Sequence, residues 1–180
     1  ANGGDLKAAQ AGLSGAVFQM FNHGTISARL FILVGVVYER AHYRDIDGFG
    51  GLASQMPVYT GITALAFFAG LGLPGFSGFV SEAMCFIGAF PVFKTIVVLS
   101  TIGILLNAAY FLWAFQRVFF GKLNEKYKDM PEINSLELFT VIPLAIITLF
   151  FGIYQRPYLD IIRSTMDQII EKVAFVANYA

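Results

Sequence analysis

The chain has 180 residues, of which 57% are hydrophobic and 13% are charged, and its net charge is zero. Soluble domains carry about 25% charged residues, so this composition excludes an ordinary soluble globular protein. A neutral chain also gives no electrostatic reason to expect a nucleic acid or an acidic partner. The single cysteine, Cys85, excludes an internal disulfide and a cysteine-based metal site.

Four charge-poor runs follow one another along the sequence, at about 9–38, 56–90, 95–116 and 136–155. Apolar runs of about 18 residues or more predict transmembrane helices. Lipid favours helices over open strands, because each backbone polar group must be satisfied within its own segment. We therefore predict an all-α, polytopic membrane protein with four transmembrane segments, which form a membrane domain over residues 1–157.

The second segment is too long for one crossing. As a continuous helix, residues 56–90 would reach about 50 Å, whereas the hydrocarbon core is about 30 Å thick. The stretch GLPGFSG within it contains the helix-breaking residues Pro74, Gly75 and Gly78. We therefore predict that this segment is discontinuous.

The remainder, residues 158–180, is predicted to be an amphipathic helix that lies on the membrane or on a partner subunit. Its apolar residues recur at helical spacing with charges between them. The loops 39–55 and 117–135 fall on one side of the membrane. Their basic residues place them in the cytoplasm or matrix. The first residues lack a signal-peptide pattern, and we expect the chain to be a piece of something longer.

Glu82 is the only charge between Gly48 and Phe93. An ionisable residue within a membrane span is costly and is a functional candidate by default. A half-helix that begins after the break would favour the carboxylate through its positive end, while burial would favour the neutral acid. Glu82 is therefore predicted to carry protons; the alternative is a neutral or lysine-paired acid that only fixes packing.

His23 lies near the middle of the first segment and forms a polar stripe with Gln19 and Ser27, at i, i+4 and i+8. Histidine both donates and accepts protons near neutral pH, so we predict a proton relay between His23 and Glu82. The alternative is a neutral histidine that holds helices together. A metal site is not expected, because no second ligand lies at suitable spacing.

Three further polar residues of the spans are considered as candidates. Arg29 points away from the polar stripe, and we expect it to reach the membrane interface or to pair with an acid on another helix. Asn107 and Tyr110 are supporting polar residues of the third segment. Helix packing is the favoured interpretation for both, and a water path is the alternative.

These residues together resemble the antiporter-like membrane subunits of respiratory complex I. The resemblance is carried by FQMFNHGTISARLFILVGVVYERAHYRDIDGFGGLASQMP and LAFFAGLGLPGFSGFVSE, and it is strongest over residues 16–90. Glu82 indicates the NuoM type (mitochondrial NADH dehydrogenase subunit four), because related subunits and Mrp-type antiporters typically carry lysine there. The resemblance implies helices eleven to fourteen of fourteen, in a fragment or a split gene product.

The resemblance also implies roles for individual residues. In the family, a discontinuous helix twelve carries a titratable residue of a half-channel, which matches Glu82. A histidine of helix eleven lies on the central hydrophilic axis and matches His23. Position 29 departs from the family, which has a small or apolar residue there. The implied function is proton translocation in NADH:quinone oxidoreductase, driven by quinone reduction elsewhere.

The resemblance implies no cofactor in this chain, with FMN, iron–sulfur clusters and quinone in partner subunits. The expected partners are other complex I membrane subunits, including neighbouring antiporter-like subunits, and lipids. The expected location is an energy-coupling membrane, either the bacterial or the mitochondrial inner membrane. Alternatives are a subunit of an Mrp-type cation/proton antiporter, a subunit of a membrane-bound hydrogenase, or a passive membrane anchor.

Overall fold

A computed structural model of the chain describes the backbone of residues 3–179 and the side chains of residues 6–176. Within this range the chain is helical and contains no β-strand, which confirms the predicted all-α class. Short 3-10 turns lie in the loops at Ile46–Gly48, Leu52–Ser54 and Glu125–Tyr127. The α-helices described are, in chain order, α1 (Gly3–Ala41), α2 (Pro57–Gly70), α3 (Ser77–Ala89), α4 (Lys94–Phe119), α5 (Ser135–Ile153) and α6 (Arg156–Tyr179).

Three of these helices are long and apolar enough to cross a membrane: Leu6–Ala41 of α1, the whole of α4 and the whole of α5. α2 and α3 have 14 and 13 residues, which is too few for either to cross alone, since a span needs about 20. Together with residues 71–76 they correspond to the predicted second segment, which is therefore discontinuous as predicted.

α2 ends in a Schellman motif centred on Gly72. The backbone N–H of Leu73 donates to the carbonyl of Phe68 at 3.0 Å, and the N–H of Gly72 donates to the carbonyl of Ala69 at 3.3 Å. Gly72 has φ +76°, in the left-handed region that glycine adopts without steric cost. The helix therefore ends with its carbonyls paired inside the membrane, where no bulk water could satisfy them.

Two of the three predicted helix breakers lie in the interruption. Pro74 and Gly75 both fall between the helices, and Gly75 has φ +101°. The prediction for Gly78 was wrong, because α3 begins at Ser77 and Gly78 is helical. Its role is close packing: a Cβ at this position would lie 2.9 Å from the carbonyl oxygen of Ala69.

α3 packs on α1 with its backbone in near contact. A Cβ added at Gly15 would lie 2.7 Å from Cβ of Met84 and 2.9 Å from the backbone nitrogen of Cys85. One added at Gly88 would overlap the backbone of Gly12. Small residues allow membrane helices to approach this closely, and dispersion between the two surfaces then holds them together.

The two basic loops lie at the same end of the helices, as the alternation of crossings predicts. The side-chain amide of Asn124 donates to the carbonyl of Gly48 at 2.7 Å. Arg40 forms a bidentate salt bridge with Glu137, in which its two terminal nitrogens donate to the two carboxylate oxygens at 2.9 and 2.8 Å. This salt bridge joins the end of α1 to the start of α5. The Glu132 carboxylate accepts hydrogen bonds from backbone N–H groups of the first turn of α2.

The amphipathic C-terminal helix packs on α1 of the same chain, a contact that the sequence analysis did not anticipate. Tyr158 donates from its hydroxyl to the carbonyl of Val17 at 3.4 Å, and Gln10 donates to the Asp167 carboxylate. Met166 is buried in the contact. One face of α6 is therefore covered by α1, and the contact of this helix with the membrane or a partner subunit stays a prediction.

We expect Gly88→Ala to destabilise the protein by about 1–3 kcal/mol, because the added methyl group would overlap backbone that cannot move aside. The measurement is thermal unfolding of the purified protein in detergent. Gly35→Ala is the matched control, since nothing described lies within 4 Å of a Cβ at Gly35. Equal effects of the two substitutions would contradict the close α1–α3 packing.

Candidate functional site

A cleft of about 250 Å³ lies between α1, α2, α3 and α4. Its wall is apolar at Ile26, Leu30 and Phe111. All six polar side chains that line it are residues selected from the sequence, namely Gln19, His23, Ser27, Glu82, Asn107 and Tyr110. The fold therefore gathers polar groups from three helices around one cleft, and their roles and the hydration of the cleft stay predictions.

Glu82 is the half-buried acid of this cleft and lies in the second turn of α3. Its carboxylate reaches back to the helix break, where Oε2 lies 2.9 Å from the position of a Cβ at Gly72. The carboxylate makes no hydrogen bond or salt bridge to the described side chains or backbone. The effect of a helix dipole falls off within the first turn, and Glu82 lies beyond that turn. The main effect of the break on Glu82 is therefore steric, because the absence of a side chain at Gly72 leaves space for the carboxylate.

His23 lies on the exposed side of α1, and its Nδ1 is 3.2 Å from the Ser27 hydroxyl. When Nδ1 is unprotonated, Ser27 donates to it and the ring carries its proton on Nε2; when Nδ1 is protonated, the direction reverses. No direct hydrogen bond joins His23 to Glu82 within the described structure. Any proton exchange between them must cross the cleft.

A buried polar contact between α1 and α3 was missed in the sequence analysis. The side-chain amide of Asn22 donates to the Ser81 hydroxyl at 2.8 Å and to the carbonyl of Ser77 at 2.9 Å, and Ser81 donates to Gln19. Asn22 lies three residues after Gln19, and Ser77 and Ser81 are one helical turn apart. These spacings place each pair on one helix face, and they were the sequence signal from which the contact could have been predicted. This contact fixes α3 beside the polar stripe of α1.

Asn107 and Tyr110 contribute differently to the cleft. The Asn107 amide donates to the carbonyl of Gly70 at 3.0 Å and so pairs a terminal carbonyl of α2. Tyr110 is 57% exposed, and its ring stacks on Phe111 at a centroid distance of 4.9 Å. Asn107 therefore joins α4 to the end of α2, while Tyr110 lies at the rim of the cleft, and the roles of both stay predictions.

Both expectations for Arg29 were wrong. Its side chain is fully buried between α1, α2 and α5, and it does not reach the membrane interface. The guanidinium donates to the carbonyl of Leu65 at 3.0 Å and to the Thr148 hydroxyl at 3.2 Å. No carboxylate among the described side chains lies within 4 Å of it. The sequence could not show this, because the partners are a backbone carbonyl and a threonine far along the chain.

The described residues contain no group of three or more His, Cys, Asp or Glu that could hold a metal ion. The cleft offers one carboxylate, one imidazole and several neutral hydrogen-bonding groups. Chemically, this set can take up and release protons at Glu82 and His23.

Residues 5–108 match the family model described as the NADH:quinone oxidoreductase/Mrp antiporter transmembrane region. The chain therefore belongs to this family of membrane proteins, as the resemblance predicted. NADH-quinone oxidoreductase subunit M of Rhodobacter capsulatus is 40% identical over 93% of this chain. NADH-ubiquinone oxidoreductase chain 4 of Chondrus crispus is 35% identical over 91% of it. F(420)H(2) dehydrogenase subunit M of Methanosarcina mazei is 38% identical over 90%.

The chain spans about a third of the length of these relatives, covering 33% of each. Two solved structures share its fold. A chain of respiratory complex I from Thermus thermophilus with bound NADH superposes with a TM-score of 0.80, at 24% identity over 91% of this chain and 35% of that one. A chain of the Mrp complex from Dietzia sp. DQ12-45-1b gives 0.79, at 17% identity over 93% and 40%.

We expect Gly72→Ala to be destabilising for two reasons: positive φ costs a non-glycine residue about 1–2 kcal/mol, and the new methyl group would press on the Glu82 carboxylate. The second cost should disappear in a Glu82→Ala background, which gives a coupling energy of about 1 kcal/mol. Thermal unfolding of both single variants and the double variant measures it.

Gly75→Ala is the control for the Gly72 experiment. Gly75 also has positive φ, but nothing described lies within 4 Å of a Cβ there. Its cost should therefore be independent of Glu82. Additive effects of Gly72→Ala and Glu82→Ala would contradict the contact at the break.

Proposed function

We propose that this chain is part of a proton-translocating membrane subunit of NADH:quinone oxidoreductase. The observation that carries the proposal is the cleft, which brings Glu82 and His23 together with four supporting polar side chains at a helix break. A buried acid in a membrane protein is costly, and discontinuous helices that line a cavity are how transporters accommodate such groups.

Glu82 and His23 act as the proton-relay groups in this proposal. Glu82 takes up a proton as a neutral carboxylic acid and releases it as a carboxylate. His23 holds a proton on a ring nitrogen, and Ser27 orients the ring through Nδ1. Water in the cleft bridges the two groups, since a bridging water replaces a direct hydrogen bond at small cost. Glu82 lies in the more enclosed part, so its charge state responds to a charge on His23.

The energy for transport comes from quinone reduction outside this chain, with FMN, iron–sulfur clusters and quinone in partner subunits. Support comes from the names of the relatives in Rhodobacter capsulatus and Chondrus crispus, which are NADH:quinone oxidoreductase subunits. The relative in Methanosarcina mazei belongs to a dehydrogenase with a different donor. The shared membrane part is therefore proposed to move protons whichever donor supplies the electrons.

An Mrp-type antiporter subunit is the second candidate, because the Mrp structure superposes nearly as well as the complex I structure. The two functions differ in the ion that is moved. Proton transport that is independent of sodium and coupled to quinone reduction supports the oxidoreductase. Sodium-dependent proton flux without a quinone reductase supports the antiporter.

Neutralising Glu82 should stop the relay. We expect Glu82→Gln and Glu82→Ala to assemble normally and to lower proton transport and the coupled quinone reductase rate by at least about tenfold. Glu82→Asp keeps the acid and should retain part of the activity. The measurement uses the assembled complex in proteoliposomes. Glu39→Gln, at an exposed glutamate near the end of α1, is the matched control. Wild-type transport by assembled Glu82→Gln would refute the proposal.

The relay also predicts how two losses combine. If His23 and Glu82 serve one path, the double variant His23→Ala with Glu82→Gln should transport protons within about twofold of the more damaging single variant, because either loss interrupts the same path. Initial rates of proton uptake in proteoliposomes decide this. Losses that multiply would show that the two residues act independently.

A further inference from the structure

A chain of hydrogen bonds leads from the buried contact between α1 and α3 into the cleft. Asn22 donates from its amide nitrogen to the carbonyl of Ser77 at 2.9 Å and to the Ser81 hydroxyl at 2.8 Å. Ser81 donates in turn to the amide oxygen of Gln19. The side chains of Asn22 and Ser81 are fully buried, whereas Gln19 is half-buried and lines the cleft. One side chain of the cleft is therefore held by a polar contact that lies outside it.

The direction of this chain follows from its first acceptor. A backbone carbonyl only accepts hydrogen bonds, so the Asn22 atom beside the Ser77 carbonyl is the amide nitrogen. The same nitrogen faces the Ser81 hydroxyl, whose oxygen accepts and whose single hydrogen is left to donate. The acceptors around that hydrogen are the Gln19 amide oxygen and carbonyls of the preceding turn, of which that of Gly78 lies at 3.0 Å. Donation to Gln19 leaves its amide nitrogen as the free end of the side chain.

The amide nitrogen of Gln19 and the carboxylate of Glu82 are two complementary groups of the cleft. Both residues line it, and neither group forms a hydrogen bond within the described residues. Asn107, the other amide of the cleft, donates to the carbonyl of Gly70. An ionised carboxylate beside an apolar wall needs N–H or O–H donors, supplied directly or through a bridging water. Both amide hydrogens of Gln19 are available for this purpose.

We propose that Ser81, supported by Asn22, is a positioning residue of the relay. It holds the amide oxygen of Gln19 at α3 and so presents the amide hydrogens of Gln19 to the ionised form of Glu82. An amide turned the other way would set an oxygen against the carboxylate. The inference rests on the proposed function for its consequence, because the ionised form is the one that accepts the next proton. The buried contact thus favours one charge state of an acid that it does not touch.

Two substitutions interrupt this arrangement at different points. Gln19→Met keeps the length of the side chain and removes its donors, while the hydrogen bond between Asn22 and Ser81 remains. Ser81→Ala leaves Gln19 in place and releases its amide oxygen. Ser100→Ala is the matched control, because the Ser100 hydroxyl donates to the carbonyl of Ile96 in its own helix, at an exposed position outside the cleft.

The probe is dicyclohexylcarbodiimide, which reacts with a carboxyl group in its protonated form. Reaction at Glu82 is measured by mass spectrometry after treatment of the assembled complex in detergent over a range of pH. The midpoint, which is the pH of half-maximal reaction, reports the charge state of Glu82 and is independent of how easily the reagent enters. Proton transport in proteoliposomes is measured over the same range.

The other titratable groups that face Glu82 are the same in every variant. They are His23 of α1, Tyr110 of α4 and Cys85, which lies one turn further along α3. α2 and α5 contribute no titratable side chain to the lining of the cleft. A shift of the midpoint therefore reports the lost donors.

We expect Gln19→Met and Ser81→Ala each to raise the midpoint by about 0.5–1 pH unit, which corresponds to one hydrogen bond lost from the carboxylate. The double variant should shift no further than Gln19→Met, because Ser81 acts through Gln19. Ser100→Ala should keep the wild-type midpoint. A merely structural role of Ser81 would lower assembly and leave the midpoint unchanged. That outcome, or shifts that add in the double variant, overturns the inference.

If Ser81→Ala does not assemble, Ser81→Cys replaces it, since a thiol fills the same site and is only a weak donor. Failure of the proposed function has a different signature, namely wild-type transport by assembled Glu82→Gln. The midpoint is measured without transport and tests the arrangement of Gln19 in either case. Loss of transport in Glu82→Gln together with unchanged midpoints in the other variants rejects the positioning role alone.

Discussion

The close approach of α1 and α3 is the constraint on which the rest of the structure depends. Glycine at positions 15 and 88 lets the two backbones come into near contact, because a Cβ at either position would clash with the facing helix. At that separation the short side chains of Asn22 and Ser81 reach each other across the helices. Because α3 is held there, Glu82 and the polar stripe of α1 line one cleft. A wider spacing would break the buried hydrogen bonds between α1 and α3 and move Glu82 away from the polar stripe.

The interruption between α2 and α3 is compatible with a membrane because the chain satisfies it internally. The Schellman motif at Gly72 pairs two carbonyls of α2, Leu71 pairs a third and Asn107 pairs the fourth. α5 supports the interruption from outside: a Cβ at Gly152 would lie 2.5 Å from Cα of Phe76. The break is therefore a defined element of structure, rigid enough to position an acid and open enough to leave room for it.

The same architecture occurs in complex I and in the Mrp complex, at TM-scores of 0.80 and 0.79. Fold alone therefore does not decide which ion moves. In this chain the charged side chains near the broken helix are an acid at position 82 and a buried arginine at position 29.

The sequence by itself determined the helical class, the discontinuous second segment and the polar residues of the cleft, because these follow from local hydropathy, helix breakers and the rarity of polar groups in apolar runs. It placed Pro74 and Gly75 correctly, and it misjudged Gly78. Only the tertiary structure decided what surrounds Arg29 and where α6 packs. These depend on contacts between residues far apart in the chain, and a carbonyl partner such as that of Leu65 leaves no trace in the identity of a side chain.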